Sequence, residues 1–257
     1  MMILLTNDDG IYAKGIEVLQ EHLCQEHEVL VVAPETEQSA VGHAITLMDP
    51  LRLKPIQRNG AFFGYGVNGT PADCVKLAIN ELLEKPPNLV VSGINLGANV
   101  GINVIYSGTV SAATEGAILG VPAIAVSINS FKSPDFTPAA RFIKKLVRQV
   151  SQHGLPPCTL LNVNVPAVPA EKIRGVRITR QGVSRFVEKF DRRVDPRKNV
   201  YYWQCGSTPP FSEDGDTDAS ALASDCISIT PLHFDLTNYG FLETLRTWNI
   251  AAPGEEE

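Results

Sequence analysis

Short apolar runs alternate with amphipathic stretches through the first two thirds of the chain. Each run is broken by Pro, Gly or a cluster of polar residues, a pattern that predicts buried β-strands. Strands are predicted at Met2–Thr6, Val29–Ala33, Leu51–Ile56, Ala61–Val67, Leu89–Ser92, Ala123–Ser127 and Thr159–Val165. Asn59 and Gly60, between the third and fourth runs, are typical of a tight turn.

Between these runs, apolar residues recur at helical spacing. Helices are predicted from Gly15 to about Cys24, from Pro71 to about Glu84, from Gly108 to Leu119 and from Thr137 to about His153. Thr70 before Pro71 is typical of a helix start, and Gly120 and Gly154 are typical of helix ends. The alternation predicts an α/β fold: a Rossmann-like domain at residues 1–170 with a mostly parallel, doubly wound sheet.

After Pro166 the pattern changes, and residues 171–257 are expected to form a C-terminal extension of β-hairpins and a final helix. Hairpin strands are predicted at Val176–Thr179, Phe186–Phe190 and Val200–Cys205, with a further strand at Asp225–Pro231. Phe211–Ala219 is expected to be an acidic loop, and Thr237 to cap a helix that ends near Trp248. We expect this extension to be either a small subdomain that is integral to one domain, or an arm that reaches a partner subunit for oligomerisation.

The composition describes a globular chain without a basic surface. Apolar residues make up 44% of it and charged residues 19%, and the formal net charge is -6, which disfavours a nucleic-acid partner. No stretch has the length needed to cross a membrane, and the apolar run Met1–Leu5 is too short for a signal peptide. The five cysteines are scattered and odd in number, which favours reduced thiols and a cytoplasmic protein.

Sequence motifs of three common enzyme classes are absent from the sequence. The chain has no G-x-x-x-x-G-K-[ST] loop, no G-x-G-x-x-G after its first strand and no G-x-S-x-G turn. This disfavours a P-loop NTPase, a dinucleotide-dependent dehydrogenase and a serine hydrolase of the α/β type.

Two adjacent acids, Asp8 and Asp9, follow the first predicted strand. Ligands of open α/β sheets bind outside the carboxyl ends of the strands, where these acids are expected. Neighbouring carboxylates repel each other unless a cation neutralises them, and hard oxygen ligands suit Mg²⁺ or Mn²⁺. The segment Asn7–Gly10 is equally typical of a simple turn.

Two further loops are expected at the same edge of the sheet. Glu35–Ala44 carries Ser39 and His43. The glycine-rich loop after the predicted strand Leu89–Ser92 carries Asn95. Ser and Asn oxygens can complete the ligand shell of a hard cation, although each alone is more typical of a loop hydrogen bond. The lone His43 is either a hydrogen-bonded surface residue or an aid to proton transfer.

A helix rich in Ala and Gly begins at Ser107, Gly108 and Thr109. Its first N–H groups, the helix dipole and the two hydroxyls are suited to an anion such as phosphate. The alternative interpretation is an ordinary N-cap followed by close helix packing. Asp73, near the start of an earlier helix, is interpreted first as part of a helix cap.

Several sequence blocks, in this order along the chain, resemble the SurE family of survival-protein nucleotidases. The likeness runs from about Met2 to Ser127 and continues more loosely to Ser228–Leu232. The blocks are Ile3–Ile11, Ala33–Pro34 with Gln38–Ala40 and Ile45–Leu47, Asn68–Val75, Ser92–Gly101, and Tyr106–Ala113 with Glu115–Gly116. A run of co-linear blocks is far more specific than any one of them.

This resemblance implies a metal-dependent phosphatase for nucleoside 5′- and 3′-monophosphates, with polyphosphate as a further substrate of some members. The implied ligands of one Mg²⁺ or Mn²⁺ ion per subunit are Asp8, Asp9, Ser39 and Asn95, the two acids being also catalytic. The residues implied around the phosphate are Asn7, Ser107, Gly108 and Thr109. The family also implies a homodimer or homotetramer. One departure is Asn103, where the family pattern usually has Asp.

We therefore expect a metal-activated water to attack the phosphate and release the nucleoside. The main alternative is a nucleotide-binding regulator that carries out no chemistry on the same fold. A hydrolase for another bond is less suited, because zinc enzymes of that type usually recruit His or Cys. A cation that serves only assembly is a third alternative.

Overall fold

A computed structural model describes residues 1–132, 134–183, 187–207, 215–248 and 250. The strands in these ranges are β1 (Met2–Thr6), β2 (Glu28–Pro34), β3 (Leu53–Arg58), β4 (Ala61–Val67), β5 (Leu89–Leu96), β6 (Ala123–Ile128), β7 (Thr159–Val165), β8 (Gly175–Ile178), β9 (Val187–Val194), β10 (Val200–Ser207) and β11 (Cys226–His233). The helices there are α1 (Lys14–Leu23), α2 (Pro71–Leu77), α3 (Asn103–Tyr106), α4 (Gly108–Ile118), α5 (Thr137–His153), α6 (Asp218–Ala223) and α7 (Tyr239–Arg246).

One large sheet organises the molecule, with strand order β3-β4-β2-β1-β5-β6-β7-β11-β8. In this order, the neighbouring strands β4, β2, β1, β5, β6 and β7 run parallel to one another. At one edge β3 is antiparallel to β4, and at the other β11 is antiparallel to β7. The predicted α/β class with a mostly parallel, Rossmann-like sheet is confirmed.

Both faces of this sheet are buried, because helices cover each of them. Along β1, Ile3 and Leu5 belong to the apolar cluster shared with α1 and α5, whereas Leu4 belongs to the cluster shared with α2 and α4. This alternation follows from the two-residue period of a strand. The helix α4 lies close to the sheet because Gly116 has no Cβ, and an added one would be 2.9 Å from Cγ2 of Val90. The doubly wound arrangement follows from these two layers.

Three predicted elements in the first half have wrong boundaries. The strand predicted at Leu51–Ile56 lies two residues later, at Leu53–Arg58. The strand predicted at Leu89–Ser92 continues to Leu96, because Asn95 and Leu96 pair with β6 after an irregularity in register. Asn95 therefore lies at the end of a strand and not in a loop. The helix predicted to reach Glu84 changes at Ala78 into a π-helical turn that ends at Leu82.

The C-terminal extension differs more from its prediction. The segment predicted as a hairpin strand at Val176–Thr179 is β8, which pairs in parallel with β11 inside the main sheet. The predicted acidic loop contains the start of α6 at Asp218; its residues 211–214 and the predicted strand residue Phe186 lie outside the described residues. The last helix is capped by Asn238, whose side chain accepts from the N–H of Phe241, and not by Thr237.

The predicted C-terminal hairpin is present as β9 and β10, which pair antiparallel apart from the main sheet. Strands β8 and β11, also from residues 171–257, lie in the main sheet itself. The role of this segment in oligomerisation stays a prediction. Among the described helices, none is long and apolar enough to span a bilayer.

Candidate functional site

The predicted site residues meet at the carboxyl edge of the sheet, where the chain changes direction. β1 pairs with β2 on one side and β5 on the other. The helix after β1 packs on one face of the sheet, and α4, which follows β5, packs on the opposite face. A crevice opens at such a switch point, and ligands of α/β sheets bind there.

Asp8 is buried at the base of this crevice and is only 4% exposed. One carboxylate oxygen accepts a hydrogen bond from the hydroxyl of Thr109 in α4. Its main-chain carbonyl accepts from the N–H of Gln38 at 2.8 Å, which ties the loop after β2 to this position. Burial raises the pKa of Asp8, although the hydrogen bonds from Thr109 oppose that effect.

Asp9 is less buried and carries a second carboxylate beside the first. Its Oδ2 accepts from the N–H of Leu96 at 3.2 Å. Burial, followed by the charge of Asp8, raises the pKa of Asp9 to about 7. Within the described ranges, no Lys or Arg forms an ion pair with either acid. A cation between the two would remove the repulsion that disfavours their ionisation.

Asn7 is fully buried, and its two polar atoms have different surroundings. The side-chain N–H donates to the carbonyl of Gly10 at 2.9 Å, whereas the side-chain oxygen has no hydrogen-bond partner among the residues that the structure describes. A buried acceptor without a donor is unfavourable, so this oxygen suits a cation or its water. Asn7 was implied near the phosphate, and its remaining free atom fits the cation side of such a site better.

Ser39 and Asn95 bring neutral oxygens to the same crevice. Asn95 donates from its side-chain nitrogen to the carbonyl of Gly97 at 2.7 Å, so its amide oxygen is the atom that a cation would use. The Ser39 hydroxyl donates to Oε1 of Glu37 at 2.5 Å. The sequence interpretation missed Glu37, whose charge also raises the pKa of Asp8 and Asp9. The sequence signal that could have identified Glu37 was its position two residues before Ser39.

The start of α4 forms the opposite wall of the crevice. Ser107 is its N-cap and accepts from the N–H of Val110 at 3.1 Å, so the capping interpretation is confirmed. A Cβ on Gly108 would lie 2.7 Å from Cβ of Asp8. Only a residue without a side chain lets this helix approach the acid so closely. The first N–H groups of the helix and its dipole can also stabilise an anion there.

A cavity of about 1170 Å³ opens from these residues. Of the predicted site residues, those that line it are Asp8, Ser39, Asn95 and Ser107. Thr109 and Gly108 of α4 contact Asp8, and Asn7 and Asp9 are its neighbours in the chain. The cavity also has apolar walls, contributed by Ile102, Tyr106, Phe131, Val183 and Val187.

The donor atoms fit a hard divalent cation. Across the residues that the structure describes, no group of three or more His, Cys, Asp or Glu side chains could hold a metal. A cation would therefore depend on the carboxylates of Asp8 and Asp9 together with neutral oxygens, which is the oxygen chemistry that Mg²⁺ and Mn²⁺ prefer. The unpartnered oxygen of Asn7 and the raised pKa of both acids agree with such an occupant.

Two weaker candidates from the sequence lie outside this cavity. Asp73 is part of a capping box with Thr70 at the start of α2, as its first interpretation predicts. Of the described residues, His43 does not line the cavity. Its Nε2 lies 2.7 Å from Oε2 of Glu115, which is on α4.

Comparison with known proteins agrees with this arrangement. Residues 3–188 match the model of a family described as survival protein SurE. Proteins named 5′-nucleotidase SurE are 61% identical in Syntrophobacter fumaroxidans, covering 97% of this chain and 100% of that protein, and 55% identical in Syntrophus aciditrophicus, covering 96% and 93%. The crystal structure of the SurE protein from Aquifex aeolicus superposes with a TM-score of 0.85 at 40% identity, covering 96% of this chain and 98% of that one. The chain therefore belongs to the survival protein SurE family.

Proposed function

We propose that this protein is a 5′-nucleotidase that hydrolyses nucleoside 5′-monophosphates, and also 3′-monophosphates, to nucleoside and phosphate. The observation that carries the proposal is the contact of buried Asp8 with the first turn of α4, beside the second acid Asp9. This contact supports a cation site next to an anion site. The relatives in Syntrophobacter fumaroxidans and Syntrophus aciditrophicus are named 5′-nucleotidase SurE, which supports the same reaction.

Asp8, Asp9, Ser39 and Asn95 are proposed to hold one Mg²⁺ or Mn²⁺ ion in each subunit. A bound divalent cation polarises the phosphate and lowers the pKa of a water from about 15.7 towards neutrality. Asp8 or Asp9 orients that water or accepts its proton. Thr109 fixes the Asp8 carboxylate from the side of α4.

The phosphate is proposed to bind at the start of α4, at Ser107, Gly108 and Thr109. Donors fixed by a helix need no rearrangement as charge develops on the phosphate oxygens, and such preorganised groups stabilise the transition state strongly. Water then attacks the phosphorus opposite the departing nucleoside oxygen and gives a proton to Asp8 or Asp9. The P–O bond to the nucleoside breaks, and the nucleoside oxygen takes up a proton from solvent water.

The apolar walls of the cavity support a nucleoside as the leaving group. At about 1170 Å³ the cavity has room for more than a phosphate. Phe131 is 89% exposed and Tyr106 is 57% exposed, so both aromatic rings are available to the ligand. A flat base fits against such rings.

Phosphate release from a panel of nucleoside monophosphates, with Mg²⁺, Mn²⁺ or EDTA, tests the proposal. Asp8→Asn and Asp9→Asn should each lower kcat/KM by more than about 100-fold, because even residues that only support a metal ligand contribute 10–100-fold. The exposed Asp49→Asn is the matched control and should keep the parent rate. Nucleotide binding that EDTA does not change and that yields no phosphate would instead favour a nucleotide-binding regulator without chemistry.

The exposed apolar surface of the C-terminal segment supports a homodimer or homotetramer. No residue of α7 is buried, although Tyr239 and Phe241 lie on it. The β9–β10 hairpin exposes Phe190, Tyr202 and Trp203. Exposed aromatic side chains are often found at subunit interfaces. The cytoplasmic location stays a prediction.

A further inference from the structure

Glu115 is a buried carboxylate, 2% exposed, that the proposed reaction does not use. Its Oε2 lies 2.7 Å from Nε2 of His43, and its Oε1 accepts from Nζ of Lys76 at 2.8 Å. Burial opposes ionisation of this group, but the hydrogen bonds from His43 and Lys76 outweigh it and hold the pKa of Glu115 below its ordinary value. A buried carboxylate that lost one of these partners would be strongly disfavoured.

The two partners come from different parts of the fold. Lys76 lies in α2, so its bond to Glu115 joins two helices that pack on the same face of the sheet. His43 lies in the loop between β2 and β3, which also carries Glu37 and Ser39. The bond between His43 and Glu115 therefore joins two parts of the proposed site. One is the loop that carries the proposed metal ligand Ser39, and the other is α4, the helix that contacts Asp8.

The loop around Ser39 has a backbone conformation that needs support from both sides. Ala40 has φ of +57°, a left-handed conformation that is uncommon for any residue with a Cβ. Before it, the N–H of Gln38 donates to the carbonyl of Asp8 at 2.8 Å. After it, the N–H of Gly42 donates to the carbonyl of Tyr106 at 3.1 Å, and His43 follows at once with its bond to Glu115.

We infer that His43 is a positioning residue for the proposed metal site. By binding Glu115 it fixes the loop to α4, and this keeps Ser39 in the cavity that Asp8 and Asn95 also line. Lys76 supports the same carboxylate from α2 and, among the described residues, has no hydrogen bond to the loop, so its role is structural only. The inference depends on the proposed cation site and adds a residue that the family motifs did not single out.

Isothermal titration of the full-length protein with Mn²⁺ tests this role. His43→Ala should weaken the Kd for Mn²⁺ about tenfold, the lower end of what groups supporting a metal ligand contribute. Lys76→Met removes the other partner of Glu115 and should lower the melting temperature similarly, but leave the Kd at the parent value. His43→Gln should also keep the parent Kd, because its amide nitrogen takes the place of Nε2.

A parent-like Kd for His43→Ala would overturn the inference, and so would a Kd that Lys76→Met weakens equally. If His43→Ala does not fold, His43→Asn replaces it, because its shorter amide does not reach Glu115; the inference then requires weaker binding for Asn than for Gln. A parent protein that binds no Mn²⁺ would instead overturn the proposed metal site, and this inference with it.

Discussion

At the scale of single residues, the site depends on one contact between an acid and a glycine. Gly108 lies so close to Asp8 that an added Cβ would be 2.7 Å from Cβ of the acid and 3.0 Å from its Oδ2. Real Cβ atoms do not approach other atoms so closely, and neither partner can yield easily because both are buried. The Asp8 carboxylate is therefore placed by the absence of a side chain as much as by the hydroxyl of Thr109.

Gly108→Ala should displace Asp8 and lower kcat for nucleoside monophosphates by about 100-fold, the effect of an error of about 1 Å in a catalytic position. Rates at saturating Mn²⁺ and the melting temperature are the measurements. Gly240→Ala, in α7, is the control, because its nearest new contact is at 3.5 Å and its backbone is already helical. A Gly108→Ala protein with the parent rate would show that this contact does not place the acid.

At the scale of secondary structure, helix starts hold the loops around the crevice. Thr70 caps α2 by accepting from the N–H of Asp73 at 3.1 Å, and its hydroxyl donates to the carbonyl of Ala44 at 2.7 Å. Asp73 in turn accepts from the N–H of Thr70 and from both the N–H and the hydroxyl of Thr46. One capping box thus fixes a helix and the far end of the loop that carries Ser39.

Thr70→Ala should destabilise the protein by about 1 kcal/mol, the usual value for a lost N-cap, which corresponds to a fall of about 2–4 °C in melting temperature. Urea unfolding followed by circular dichroism measures it. Thr70→Ser keeps the hydroxyl and should retain most of the stability. Equal losses in the Ala and Ser variants would mean that the methyl group, and not the cap, stabilises this position.

At the scale of the whole molecule, the C-terminal segment carries exposed surface that the main sheet does not cover. Trp203 on β10 is 60% exposed, and Phe190 on the paired strand β9 is 59% exposed. Burying one large aromatic side chain contributes about 1.5–3 kcal/mol, so a few such residues can hold two subunits together.

Trp203→Glu should therefore shift the protein to a smaller assembly, because it places a charge in the proposed interface. Size-exclusion chromatography with light scattering measures this against the 27.9 kDa mass of one chain. Phe62→Glu is the control, since Phe62 is similarly exposed, at 56%, but lies on β4 of the main sheet and not in the C-terminal segment. A parent protein with the mass of one chain would contradict the prediction.

The sequence by itself determined the strands and helices that local chemistry specifies. The apolar run of β1, the cap at Thr70 and the cap at Ser107 depend on neighbours in the chain, and each is where it was predicted. The acids Asp8 and Asp9 were identified for the same reason, since their place after a buried strand is a local feature.

Only the tertiary structure decided which distant segments meet. The pairing of β8 with β11, the extension of β5 to Asn95 and the bond from His43 to Glu115 all join residues far apart in the chain. No local pattern specifies such contacts, because they depend on how the sheet and its helices pack. That packing brings α4 against Asp8 and buries the side-chain oxygen of Asn7 without a partner in the described part of the chain.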